Sequence, residues 1–388
     1  MSPLFTTRRF AMAIPALAAA LALSACSPAA EAPSDGRLNV VTTTTQLADF
    51  AHQIGGDDIS LTSLLAAGAS AHHFDPSPKE LVALSQADVL VVNGAELEGF
   101  IDSAIEASGF AGELVTAADG IDLAEAKEIT TEGEHEAETG GAPAAGDHDH
   151  AEHDHAEHDH ADHDHAEHDH AEHDHAEDAS AGHEAHAEDD HDHDHGDVNP
   201  HIWTSPRYAS AMAAEVARGL AKADPAHAAD YKERASAYEA ELAELDAWVA
   251  EQFERVPVAD RVLVSGHDSL RYYLHDYGIA YAGAIMPSFE DNAEPSAAEL
   301  DALTAKIKER GVRAIFVESS MSPKLAQTIA REAGITVVDS EALYADSLGP
   351  AGSGAETYVA ATLHNTQVIL EAWGHTADAV PQGLGEAS

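Results

Sequence analysis

Four residues whose side chains can bind metal ions lie at the ends of short apolar runs of the sequence or between such runs. His72 lies in Gly-Ala-Ser-Ala-His-His-Phe-Asp-Pro, His201 in Asn-Pro-His-Ile-Trp, His267 in Ser-Gly-His-Asp-Ser and Asp346 in Tyr-Ala-Asp-Ser-Leu. Each signal is weak alone, because a histidine at a strand end is more often a surface or capping residue. Together, three imidazoles and one carboxylate are donors that suit a tetrahedral zinc ion.

A second set of candidate ligands lies in a low-complexity segment, residues 131–197, with 18 His, 25 Asp plus Glu and no Lys or Arg. This composition cannot bury apolar surface and predicts a disordered His/Asp-rich loop. Many imidazoles on a flexible chain can gather around an ion, so we expect weak capture of additional metal ions; the alternative is a solubilising acidic spacer. The candidates are His148, His150, His153, His155, His158, His160, His163, His165, His168, His170, His173, His175, His191, His193 and His195.

The overall composition excludes several classes of protein. The net charge of −51 argues against nucleic acid or an anionic membrane surface as a partner. A single Cys excludes an intramolecular disulfide and a Cys-rich zinc site. The 388 residues, 44% of them apolar, are enough for two lobes with real cores.

The N-terminus predicts an exported lipoprotein. Arg8 and Arg9 precede an apolar run from Phe10 to Leu23, which is too short to span a bilayer. The following Leu-Ser-Ala-Cys resembles the bacterial lipobox, so we expect a signal peptide over 1–25, a lipid on Cys26 and a flexible tether over 26–36. An ordinary signal peptide is the alternative, and either Sec or twin-arginine export fits.

The elements between these motifs alternate strands with helices. Strands are predicted at 38–43, 59–65, 89–92, 261–265, 279–285, 313–318 and 335–339; helices at 45–55, 78–86, 97–108, 205–221, 225–255, 267–277, 296–310, 323–333 and 356–373. This order predicts an α/β fold with two parallel-sheet lobes, over 37–224 and 256–378, joined by one long rigid helix at 225–255 and followed by a flexible tail at 379–388. Ligands of such sheets bind beyond the carboxyl ends of the strands, which here means a metal ion in the cleft between the lobes.

Taken together, the four motifs resemble the metal motifs of the zinc and manganese solute-binding proteins of ABC transporters, the ZnuA/TroA family. The resemblance extends over residues 38–374 and includes an acidic His-rich insertion before the second motif. It implies that His72 and His201 from one lobe and His267 from the other are direct ligands. Asp346 is then the fourth ligand or a nearby carboxylate, with water as the alternative, and Glu318 has an indirect or structural role.

The resemblance also implies a function, an extracytoplasmic metal receptor on the outer face of the cytoplasmic membrane. Its partners are an ABC permease with its ATPase and, through the Cys26 lipid, the membrane; we expect a monomer. Zinc is favoured over manganese or iron because manganese members typically carry Glu at the third His position or use two carboxylates.

Two functions of other classes are weighed against the receptor. One is a surface metal store or adhesin. The other is a zinc hydrolase, but we find no His-Glu-x-x-His helix, no nucleophile elbow and no phosphate-binding loop, so the expectation is that the protein is not an enzyme. Asp75 and Asp268 are hypothesised to orient the ligating imidazoles.

Overall fold

The computed structural model describes residues 36–70, 72, 74–139, 198–286, 295–319 and 322–385. Among them, the residues from Leu38 onward form one compact unit. The predicted signal peptide, Cys26, all fifteen loop histidines from His148 to His195 and the end of the tail lie outside the described residues.

The first sheet has four parallel strands in the order β2-β1-β3-β4. They are β1 (Leu38–Thr42), β2 (Ile59–Ser63), β3 (Val89–Val92) and β4 (Glu113–Thr116). The β-branched residues of β1 and β3 are buried from both faces, which explains their continuous apolar runs.

Helices cover this first sheet. They are α1 (Thr45–Gly55), α2 (Pro78–Ser85), α3 (Ile101–Ser108), α4 (Leu123–Thr139) and α5 (Pro206–Ala223). Two of these helices begin at a side-chain cap: the Thr44 side chain accepts from the Leu47 N–H at 3.3 Å at the start of α1, and Ser205 caps α5 in the same way.

A long helix, α6 (Ala228–Glu254, 27 residues), follows the first half and is about 40 Å long. It packs against α1 and α5 of the first half and against α10 (Tyr358–Ala372) of the second. Its buried positions recur at helical spacing: Tyr231, Tyr238, Leu242, Leu245, Trp248 and Phe253.

The second sheet repeats the strand order of the first, as β6-β5-β7-β8, again all parallel. Its strands are β5 (Val262–Ser265), β6 (Ala280–Ala284), β7 (Ala314–Glu318) and β8 (Thr336–Leu343). The helices around it, besides α10, are α7 (Arg271–Asp276), α8 (Ala297–Arg310) and α9 (Lys324–Ala333). The predicted fold class, two parallel-sheet lobes with alternating helices, is confirmed.

Several element boundaries differ from the sequence prediction. Strand β4 and helix α4 were not predicted, and residues 131–139, expected at the start of the disordered loop, are the end of α4. The first part of α4 buries Ala126 and Ile129, and the Glu-rich continuation favours helix. Helix α3 begins at Ile101 rather than at 97, because Ala95 and Glu96 adopt positive φ angles of 50° and 61° and form a turn.

Helix α7 also begins later than predicted, at Arg271 rather than at 267. The Ser269 N–H donates to the His267 carbonyl at 2.9 Å, so residues 267–270 form a turn after β5. This turn leaves His267 at the carboxyl edge of the sheet. No helix in the described part of the chain has the length and apolarity needed to cross a membrane.

Candidate metal centre

The structure brings His72, His201, His267 and Asp346 together at the carboxyl edges of the two sheets. His201 Nε2 lies 3.2 Å from His72 Nε2, 3.3 Å from His267 Nε2 and 3.6 Å from Asp346 Oδ1. Asp346 Oδ1 lies 3.1 Å from His267 Nε2. One ring nitrogen from each of the three histidines lies within 4.8 Å of the corresponding nitrogens of the other two.

These four separations are close to the edge length of a metal coordination tetrahedron. Zinc binds imidazole nitrogen at about 2.0–2.1 Å in tetrahedral geometry, which places neighbouring ligand atoms about 3.3–3.4 Å apart. The Nε2 atom of His201 has three polar neighbours, which are Nε2 of His72, Nε2 of His267 and Oδ1 of Asp346. Its single lone pair or proton cannot form hydrogen bonds with all three. A cation held by the three imidazoles, with Asp346 beside it, would remove this competition.

Asn199 fixes the orientation of His201. Its Oδ1 accepts from the backbone N–H of His201 at 3.0 Å and lies 2.8 Å from Nδ1 of the same imidazole. Since an amide oxygen only accepts, Nδ1 carries the proton and the lone pair of Nε2 faces the other ligands. Asn199 Nδ2 donates to the Asp268 carbonyl at 2.6 Å, so this one amide links the turns that carry His201 and His267.

Glu318, at the end of β7, is the charged group beside Nδ1 of His267, at a longer distance than Asn199 has from His201. Its Oε1 lies 3.4 Å from His267 Nδ1 and accepts from the Ser269 hydroxyl at 2.8 Å. A carboxylate beside Nδ1 favours the tautomer whose Nε2 lone pair points into the cluster. Glu318 and His267 are both completely buried.

The two remaining residues lie on loops. His72 follows β2 and is half-buried, which makes it the most exposed of the four side chains. Asp346 follows β8 and is 6% exposed. The cluster thus has a buried floor of His201, His267 and Asp346, with His72 toward solvent.

The electrostatics of the cluster favour a divalent cation. Burial, together with the neighbouring His267 and His72, lowers the pKa of His201 well below its ordinary value, against the opposing charge of Asp346. Burial also disfavours protonation of His267, but the carboxylates of Asp346 and Glu318 outweigh it and raise the pKa of His267 well above its usual range. A dication replacing that proton would neutralise both buried carboxylates.

The hypothesis that Asp268 and Asp75 orient the imidazoles is not supported. Asp268 Oδ2 accepts from Arg271 Nε at 2.9 Å and from Arg271 Nη2, and only the Asp268 backbone carbonyl reaches the site through Asn199. Asp75 is exposed. The orienting groups are Asn199, whose contact with a ligand the sequence left in doubt because many members of the family carry Asp there, and Glu318. An Asn two residues before a ligand candidate was a usable signal, because Asn side chains accept the backbone N–H two residues further on.

Known proteins of similar sequence and fold are metal-binding proteins. The chain is 26% identical over 361 residues to the manganese-binding lipoprotein MntA of Bacillus subtilis, covering 92% of this chain and 96% of that protein. It is 27% identical over 316 residues to the zinc-binding lipoprotein AdcA of Streptococcus pneumoniae, covering 81% of this chain and 52% of that protein. The solved structure of the periplasmic zinc-binding protein TroA of Treponema pallidum superposes with a TM-score of 0.64 at 22% identity, covering 87% of this chain and 99% of that one, and shows the same fold.

These similarities define the class of the protein, a substrate-binding receptor of a metal ABC transporter. Residues 40–372 match the model of the family described as ZnuA, the periplasmic component A of a zinc-uptake complex. The chain belongs to the ZnuA family, and the family expected from the four motifs is confirmed.

Proposed function

We propose that the protein is a high-affinity zinc receptor of an ABC importer, and that His72, His201, His267 and Asp346 bind one Zn²⁺ ion as cargo. The observation that carries this proposal is the convergence of three Nε2 atoms and one carboxylate oxygen at separations of 3.1–3.6 Å. These four separations are close to the edge length of a tetrahedral zinc site, and they support such a site with Asp346 as the fourth ligand.

The donor set favours zinc over manganese or iron. Imidazole suits zinc, whereas manganese prefers oxygen donors and a higher coordination number. The second nearby carboxylate, Glu318, lies against Nδ1 of His267 rather than against Nε2, so it supports an imidazole ligand instead of adding an oxygen. Relatives named for manganese and for zinc both match the chain, so metal choice rests on these contacts.

The same donor set argues against a hydrolase. Catalytic zinc sites keep a coordination position open for water or substrate, with three protein ligands. Here Asp346 Oδ1 lies within 3.6 Å of two imidazole nitrogens, and as the fourth ligand it would fill that position.

The remaining parts of the proposal concern the segments outside the described residues. Export and lipidation at Cys26 would hold the receptor at the outer face of the cytoplasmic membrane, as a monomer that docks on its permease and ATPase. The His-rich segment would capture zinc weakly and raise its concentration near the cleft. That segment leaves from the end of α4 and returns at Val198, three residues before His201.

Titration of the chain with zinc and with manganese tests the proposal. Two forms without residues 1–26 are compared, one with the His-rich segment and one with 140–197 replaced by a Gly-Ser linker, which keeps α4 whole. We expect one tight zinc site in both forms, additional weak sites only in the first, and much weaker manganese binding. Tighter binding of manganese would overturn the metal assignment, and absence of a tight site would overturn the proposed function.

Zinc binding should release a proton. Because Asp346 and Glu318 raise the pKa of His267 well above its usual range, we expect this imidazole to carry a proton in the metal-free protein at pH 7, and we expect His201, whose pKa is lowered, to be neutral. We expect about one proton from His267 per zinc, and affinity falling about tenfold per pH unit as the pH drops below the His267 pKa. Calorimetry in two buffers of different ionisation enthalpy measures the protons released.

A matched variant identifies the source of that proton. Glu318→Gln removes one of the two carboxylates that raise the His267 pKa. Fewer protons should then be released at pH 7. Equal release from the variant and the parent would contradict the assignment to His267.

A further inference from the structure

The segment that carries Asp346 changes its hydrogen-bond partners at Tyr344. Tyr344 itself is held within the second half of the chain, since its N–H donates to Asn365 Oδ1 at 2.8 Å and its carbonyl accepts from Asn365 Nδ2 at 3.0 Å. Residues 345, 347 and 348 instead bond to groups of the first half. Asp346 therefore lies in the second half of the sequence, but the residues on either side of it form hydrogen bonds to the first half.

Two buried donors fix the peptide plane immediately before Asp346. The Ala345 carbonyl accepts from Gln46 Nε2 at 3.0 Å and from Trp203 Nε1 at 2.8 Å. A carbonyl oxygen has two lone pairs, so both are used. Gln46 is 1% and Trp203 3% exposed, so water does not compete for this carbonyl.

The chain after Asp346 is held in the same way. The Leu348 N–H donates to Thr45 Oγ1 at 2.9 Å, and the Thr45 hydroxyl donates to Gln46 Oε1 at 3.1 Å. Ser347 Oγ accepts from the Gly68 N–H at 2.7 Å, and Gly68 lies on the loop that leads to His72.

We infer that Thr45, Gln46 and Trp203 are positioning residues for Asp346, holding the backbone on both sides of it so that its carboxylate meets the imidazoles. We call these three residues the clamp. Trp203 lies two residues after His201, so the clamp sets Asp346 relative to that ligand. This inference rests on the proposed function, because it assigns to the clamp the geometry of the fourth zinc ligand.

A double-mutant cycle tests the clamp. Gln46→Met keeps the length of the side chain and removes its amide, and Asp346→Ala removes the ligand. Zinc affinity of the full-length protein, the two single variants and the double variant is measured by competition with a chelator. We expect Gln46→Met alone to weaken zinc binding by about tenfold, the lower range for a residue that orients a ligand. In the Asp346→Ala background it should have no further effect.

A spectroscopic signature separates positioning from a general loss of structure. Bound Co²⁺ reports its ligands through its visible absorption, so Gln46→Met should shift the spectrum toward that of Asp346→Ala. Trp203→Phe, which removes the indole N–H and keeps an aromatic ring, should do the same. Tyr273→Phe is the matched control, because it removes a buried hydroxyl that bonds Thr366 at 2.7 Å without touching the Asp346 segment; its spectrum and affinity should not change.

The possible failures are distinguishable. Equal loss of affinity from Gln46→Met in both backgrounds, or a parental cobalt spectrum in both clamp variants, would overturn the clamp and leave the zinc site standing. Absence of tight zinc binding by the parent protein would overturn the proposed function and this inference with it.

Discussion

His201→Ala is expected to weaken zinc binding more than removal of any other ligand, by about a hundredfold to a thousandfold. Structural zinc sites of zinc-finger peptides have apparent binding free energies of about 10–16 kcal/mol, which is roughly 2.5–4 kcal/mol for each of four ligands and sets the scale here. His201 stands out because its Nε2 lies within 3.6 Å of a ligand atom from each of the other three residues. Chelator competition with purified protein measures the loss.

His52→Ala is the control for this variant. It removes an imidazole that is exposed on α1 and is not among the clustered histidines, so zinc affinity should be unchanged. Removal of His201 takes away one of the two imidazoles near the buried Asp346 carboxylate and leaves only His267 beside it. The stability of the metal-free protein is therefore measured in parallel by thermal unfolding. Unchanged zinc affinity in a folded His201→Ala protein would show that the tight site lies elsewhere.

The fold and the four candidate ligands were predictable because their signals are local. Alternation of β-branched runs with amphipathic helices fixes a parallel sheet, and a parallel sheet brings the residues that follow its strands to one edge. His72, His267 and Asp346 each follow a strand, so their convergence needed only the correct topology. Their role as ligands stays a prediction until the metal is titrated.

The boundaries that failed depend on contacts that sequence spacing does not reveal. The helical pattern over 97–108 was real from residue 101, but the buried Glu98 accepts from the backbone N–H groups of Asn93 and Gly94 and holds the preceding residues in a turn. Helix α4 was hidden by the transition into the His-rich segment. It is held by Thr130, which accepts from the Asn199 N–H at 3.0 Å, a partner 69 residues away.

The orienting residues were the least predictable part of the candidate site. An acidic residue beside a ligand, such as Asp268, is a natural choice for orienting an imidazole. Arg271 lies one turn further along and binds the Asp268 carboxylate instead. Which of two nearby groups reaches an imidazole depends on side-chain direction, and the sequence alone does not supply it.

Asn199→Ala is expected to affect both stability and zinc affinity. All four polar groups of Asn199 are used, because its N–H donates to Thr130, its carbonyl accepts from Tyr272, and its side chain bonds His201 and Asp268. Truncation leaves the His201 N–H, the His201 Nδ1–H and the Asp268 carbonyl without this partner. An unsatisfied buried group costs about 1–3 kcal/mol, so we expect the free energy of unfolding to fall by about 3 kcal/mol. Loss of an orienting contact should weaken zinc binding by about 10–100-fold.

Asn199→Asp separates these two effects. A carboxylate still accepts from His201, so most of the zinc affinity should remain. It cannot donate to the Asp268 carbonyl, which Asn199 Nδ2 contacts at 2.6 Å, so oxygen would face oxygen and the metal-free protein should be destabilised as in the alanine variant. Denaturant unfolding and chelator competition on both variants measure the two quantities. If both variants lost zinc affinity equally, the link to the His267 turn rather than the hydrogen bond to His201 would be the contact that matters for the metal.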